Sequence, residues 1–138
     1  MIEQRVSPQV TPLSKPYFDA CNESRLVIQQ CDTCHRWQFY PRHVCSYCGG
    51  GDLVWRQAAG TGRVASYTVV RRAVSKAYTA PYVIALIDLD EGVRMMSQLR
   101  EIDVDSVFIG QCVEVVFEQW VDEDRLPVFR PVKDSVAE

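Results

Sequence analysis

Residues 31–49 read Cys31-Asp-Thr-Cys34-His-Arg-Trp-Gln-Phe-Tyr-Pro41-Arg-His-Val-Cys45-Ser-Tyr-Cys48-Gly49. Two C-x-x-C pairs are separated by ten residues. Each pair is a tight turn that aims two sulfurs at one point, and two such turns joined by a short hairpin make a tetrahedral four-thiolate cage. Cys31, Cys34, Cys45 and Cys48 are therefore the expected ligands of a structural Zn2+ ion. A rubredoxin-like iron centre uses the same ligands. Zinc is favoured because nothing else in the chain is built for electron transfer. A redox dithiol needs a neighbouring βαβ pattern, and none is present. Four sulfurs close the coordination shell, so the metal has no open position for catalysis. His35 and His43 flank the module and are expected outside the first coordination shell.

Outward from the ribbon, 26–30 reads as a strand leading into the first pair and 37–40 as the returning strand. Gly49-Gly-Gly51 marks the exit. Upstream, residues 1–12 carry two prolines and form an arm. Ser14 is expected to cap a short helix, with Pro16 in its first turn. Leu13, Tyr17, Phe18 and Cys21 share one face of that helix. The face either packs on the body of the protein or docks on a partner.

Downstream the chain reads as β-structure. Gly60 and Gly62 suggest a turn or bulge. Strands are expected over 63–71, 82–89, 93–99, 112–120 and 126–131, with 53–55 opening a further one. Val83 to Ile87 reads as buried on both faces, and Asp90-Glu91-Gly92 as a hairpin turn. Val113, Val115 and Phe117 alternate with Cys112, Glu114, Val116 and Glu118. A helical turn is expected within 102–109. The fold class is mainly β: an N-terminal helix (1–25 with its arm), a rubredoxin-like zinc ribbon (26–51) and a five-stranded OB-fold barrel (52–138). A small β-sandwich is the alternative for the last part.

The chain has 138 residues, 47% of them hydrophobic, and a net charge of −3. That is one ordinary globular body. The acidic balance weighs against a single-stranded nucleic-acid-binding OB protein, the main rival reading, which needs a basic groove. The first residues lack a signal-peptide pattern and no stretch reaches membrane-span length, so the expected compartment is cytoplasmic. Six cysteines in such a compartment are thiols or metal ligands. Cys21 and Cys112 are left as core fillers. No phosphate loop, nucleophile elbow or open metal site is visible, so no catalytic residue is assigned.

The ribbon, with its Tyr-Pro-Arg step before the second cysteine pair, resembles that of the "domain of unknown function thirty-five" family. Gly60-Thr-Gly-Arg-Val-Ala-Ser-Tyr-Thr-Val-Val, Ala80-Pro-Tyr-Val-Ile-Ala-Leu-Ile-Asp-Leu-Asp-Glu-Gly, Ile109-Gly and Pro127-Val-Phe-Arg-Pro131 extend the likeness over about residues 13 to 131. The resemblance implies an accessory subunit of acyl-CoA metabolism. Such proteins accompany thiolase-fold enzymes (thiolases, acyltransferases and aldolases of steroid side-chain breakdown), and some are joined to hotdog-fold hydratases. The partner supplies the catalytic groups and the complex is a hetero-oligomer. A CoA thioester is a ligand of such complexes. Its phosphates and adenine call for cationic groups beside an aromatic platform. Arg42, Arg71, Arg72 and Lys76, with Tyr78 and Tyr82, are the candidates here. Tyr17 and Phe18 are the candidate partner contacts.

Overall fold

A computed structural model describes residues 5–132. The helix α1 (Lys15–Asn22) is followed by strands β1 (Val27–Cys31), β2 (Trp37–Gln38) and β3 (Leu53–Gln57). Then come β4 (Thr61–Val70), β5 (Tyr82–Leu89), β6 (Arg94–Leu99), β7 (Cys112–Gln119) and β8 (Arg125–Pro131). The first three strands form a sheet in the order β2-β1-β3, and the last five close a barrel in the order β4-β5-β6-β8-β7. This is the expected helix, ribbon and five-stranded barrel.

The helix starts and stops where its sequence predicts, but Ser14 does not cap it. The Ser14 hydroxyl accepts from the backbone N–H of Thr11 at 2.9 Å instead, which closes the turn before the helix. At the far end, Asn22 ties the helix to the β7–β8 turn. Its Oδ1 accepts from the Arg125 N–H at 2.8 Å and its Nδ2 donates to Asp124 at 3.2 Å.

Leu53–Gln57, read from sequence as the start of the barrel part, pairs antiparallel with β1, from Val27 opposite Gln57 to Cys31 opposite Leu53. It is the third strand of the ribbon sheet. Ribbon and barrel also share one core: Leu26 and Ile28 are buried in the same cluster as Val64, Ile87, Val113 and Phe129.

Within the barrel, β4 pairs with β5 along its length and with β7 at its start. Its bulge lies between Val64 and Ser66 rather than at the glycines. Gly62 is where the strands come closest: a Cβ there would stand 2.4 Å from the Asp88 carbonyl oxygen. The strand β5 alternates, with Val83, Ala85, Ile87 and Leu89 buried and Ile84, Leu86 and Asp88 turned outward, so it is not buried on both faces. Val113, Val115 and Phe117 face the core as their alternation predicts. The 102–109 segment holds no helix. Asp103 accepts the Asp105 N–H on its side chain and the Ser106 N–H on its carbonyl, and these local bonds make a turn. Among the described residues no helix is long and apolar enough to cross a membrane.

Candidate metal centre and its surroundings

The four cysteine sulfurs lie within 4.8 Å of one another. Cys31 and Cys48 are 3.6 Å apart, as are Cys34 and Cys45. A tetrahedral zinc with bonds of about 2.3 Å places its sulfurs roughly 3.8 Å apart, so the donor set fits Zn2+. The two turns are built alike. The His35 N–H donates to the Cys31 carbonyl at 2.8 Å, and the Gly49 N–H to the Cys45 carbonyl at 2.9 Å. Both residues have positive φ, 65° and 76°. The Thr33 N–H points at the Cys31 sulfur and the Tyr47 N–H at the Cys45 sulfur, each at 3.4 Å.

Such N–H groups stabilise thiolate. The Cys34 backbone N–H leads in lowering the Cys31 thiol, and the Cys48 N–H leads in bringing Cys45 down to about 6. At Cys48 the Gly50 N–H pulls down, but the sulfurs of Cys31, Cys45 and Cys34, together with burial, push the thiol up to about 11. Crowded thiolates of this kind are neutralised by a divalent cation. His35 and His43 are exposed and outside the sulfur cluster.

A buried amide pair holds the second turn in place. Gln29 Oε1 accepts from the Arg42 N–H at 2.8 Å while Gln29 Nε2 donates to the Arg42 carbonyl at 3.1 Å. Gln38 Oε1 accepts from the Ser46 N–H at 3.1 Å. Neither glutamine was singled out from sequence.

The other candidates are scattered. Tyr17 turns inward: its ring meets Phe39 edge-on at 5.8 Å, and burial, with the neighbouring Cys21, raises its phenol. Cys21 is fully buried, and burial pushes its thiol up to about 12. Cys112 is half-buried. Tyr17 and Phe18 both line an apolar groove of about 550 Å³, with Met95, Met96, Trp120 and Leu126.

Tyr78 and Tyr82, 6.0 Å apart, line a cavity of about 260 Å³ with Arg5 and Arg100. Arg71, Arg72 and Lys76 are exposed on the β4–β5 loop and do not line it, and Arg71 lies 3.5 Å from Asp105. Arg42 lines a different cavity, of about 690 Å³, with Tyr40, Tyr47 and Arg94. The six candidates therefore do not converge on one pocket.

Sequence reading also missed a charged cluster at the barrel surface. Arg100 grips Glu118 with two bonds of 2.8 and 2.9 Å, and Arg5 reaches the same carboxylate at 3.1 Å. The alternation of β7 gave the one available signal, by placing Glu118 on its outer face.

Comparison with known proteins bears on the whole arrangement. Residues 18–54 match the family described as "ChsH2, rubredoxin-like zinc ribbon domain", and 55–118 match "ChsH2, C-terminal OB-fold domain". A relative from Methanothermobacter thermautotrophicus, named a DUF35 domain-containing scaffold protein, is 36% identical over 71% of this chain and 75% of its own. This chain belongs to the ChsH2/DUF35 family. A second relative, from Thermomonospora curvata, is named a probable enoyl-CoA hydratase alpha subunit. It is 38% identical over 92% of this chain, and the matched part is 40% of that protein's length. A solved structure described as "Ltp2-ChsH2(DUF35) aldolase" superposes with a TM-score of 0.84 at 38% identity. The match covers 91% of this chain and 98% of that one. The zinc ribbon of the DUF35 fold is thus the expected home of the four sulfurs.

Proposed function

We propose that this DUF35 chain is a non-catalytic accessory subunit that binds and stabilises a thiolase-fold acyl-CoA enzyme in a hetero-oligomer. The enzyme would be a thiolase, an acyltransferase or a steroid side-chain aldolase. The observation that carries this reading is the near-complete overlay on the solved chain described with an aldolase. The hydratase-subunit name of the Thermomonospora curvata relative supports the acyl-CoA setting. Zinc in the Cys31, Cys34, Cys45 and Cys48 cage cross-links the two turns of the ribbon and has no free position for substrate. The buried, protonated Cys21 is no nucleophile.

Phe18, Met96 and Trp120 wall an open apolar groove, which supports a partner contact there. Tyr17 lines the same groove and also fixes the helix against Phe39. A CoA thioester would meet the β4–β5 loop, where Arg71, Arg72 and Lys76 offer cations and Tyr78 and Tyr82 a platform. Arg42, on a separate cavity, would be reached only by an extended ligand.

The test is co-expression with the thiolase-fold protein encoded nearest to this chain, followed by size-exclusion chromatography and zinc analysis. A co-eluting complex with about one zinc per copy is expected. Thiolysis or aldol cleavage by the isolated zinc-loaded chain would overturn the reading, as would failure to bind any such enzyme.

A further inference from the structure

Arg5, in the arm ahead of the helix, lies in a cleft of the barrel surface. Its guanidinium carbon stands 4.3 Å from the Trp120 ring centre and 5.7 Å from that of Tyr78. The two rings are 6.1 Å apart and tilted by 53°. One guanidinium nitrogen donates to Glu118 at 3.1 Å, and the Trp120 Nε1–H donates to the Val6 carbonyl at 3.0 Å. Arg100 bonds both oxygens of the same carboxylate, one of them shared with Arg5.

Two aromatic faces and a half-buried carboxylate form a site selective for a flat, weakly hydrated cation. Arginine suits it better than lysine, whose compact ammonium is more strongly hydrated and cannot stack. Among the described residues the arm has few other holds. Val6 is 81% exposed and Val10 50%, and only Pro8 touches the neighbouring apolar groove. Among the described residues apolar burial therefore does little to keep the arm down; the cation in the cleft and the Trp120–Val6 hydrogen bond hold it.

We propose that the cleft of Tyr78, Trp120 and Glu118 is an arginine-recognition site, filled in cis by Arg5 and able to take an arginine side chain of a partner protein when the arm lifts. Arg5 then acts as a resident plug, and an incoming arginine must compete with it. The site shares Tyr78 with the CoA platform proposed above, but its test needs no partner enzyme, so the two readings can fail separately.

The measurement is the Trp120 indole N–H resonance in the full, zinc-loaded chain, assigned with Trp120→Phe. In Arg5→Ala this proton is expected to exchange with solvent about tenfold faster or more, as the arm leaves. N-acetyl-arginine amide at millimolar concentration should then shift the resonance in Arg5→Ala, and shift it much less in the unmodified chain. N-acetyl-lysine amide should act weakly. Adding Glu118→Gln to Arg5→Ala should remove the response to the arginine probe. An indole proton indifferent to Arg5→Ala overturns the proposal. So does an arginine probe that leaves Trp120 unmoved in that variant, or moves it equally in both proteins.

Discussion

Gln38 Nε2 donates to Gln29 Oε1 at 3.1 Å between strands β2 and β1, where the two residues sit directly opposite each other and both are buried. Through Arg42 and Ser46, this pair passes the register of the sheet to the loop that carries Cys45. Gln38→Ala removes partners from buried groups on both sides. It should cost about 2 kcal/mol, the penalty for leaving buried polar atoms unpaired. Urea denaturation of the zinc-loaded protein checks this, and an unchanged midpoint would show that water substitutes freely for the amide.

Removing the metal should unfold more than the ribbon. Leu26 and Ile28 belong to the ribbon yet are buried in the barrel core. Chelation, or Cys45→Ser, is expected to lower the melting temperature by roughly 10 °C or more, with one cooperative transition. A barrel that melts unchanged after zinc is stripped would contradict the shared core.

Gly62→Ala tests the closest approach of the barrel strands. The new methyl would meet the Asp88 carbonyl at 2.4 Å and Ile87 Cγ2 at 3.0 Å. Backbone cannot yield as a side-chain end does, so a loss of about 1–3 kcal/mol is expected. The comparison is with Gly51→Ala, where nothing lies within 4 Å of the added atom. Equal stability of the two variants would refute the packing argument.

Alkaline pH should weaken the fold through Cys21. Burial raises its thiol from an ordinary 9.0 to about 12 in the folded protein. The folded state therefore holds a proton that the unfolded chain releases. Stability from this source is intact below about pH 9 and declines up to about pH 12, by at most about 1.4 kcal/mol per pH unit. Denaturation midpoints between pH 8 and 10.5 should fall faster for the native sequence than for Cys21→Ala. Parallel slopes would assign the effect to other groups.

The parts of this structure written in local spacing were legible in the sequence. The two cysteine pairs announced the cage, and the alternation of Val113, Val115 and Phe117 gave the inward face of β7. What depended on distant partners was not. Leu53–Gln57 reads as a strand whichever sheet receives it, and only its pairing with Val27–Cys31 assigns it to the ribbon. Ser14 has a good capping side chain, but Thr11 claims it first. The 102–109 segment stops at a single turn closed by Asp103 and does not continue as helix. The clustering of Arg5, Arg100 and Glu118 joins the arm, the end of β6 and β7, and no spacing in the chain encodes it.

The placement of β3 has a consequence for how this protein can be cut or recombined. A break at the glycines after Cys48 looks natural, yet it would leave the ribbon without a strand and burden the barrel with an edge it does not use. The break that respects both sheets falls after Gln57, between β3 and β4. Even there the barrel would lose Leu26 and Ile28, and the ribbon would lose the surface that buries them. Ribbon and barrel are thus expected to be inherited together, as a single unit that a fusion can carry whole but that recombination between them would destroy.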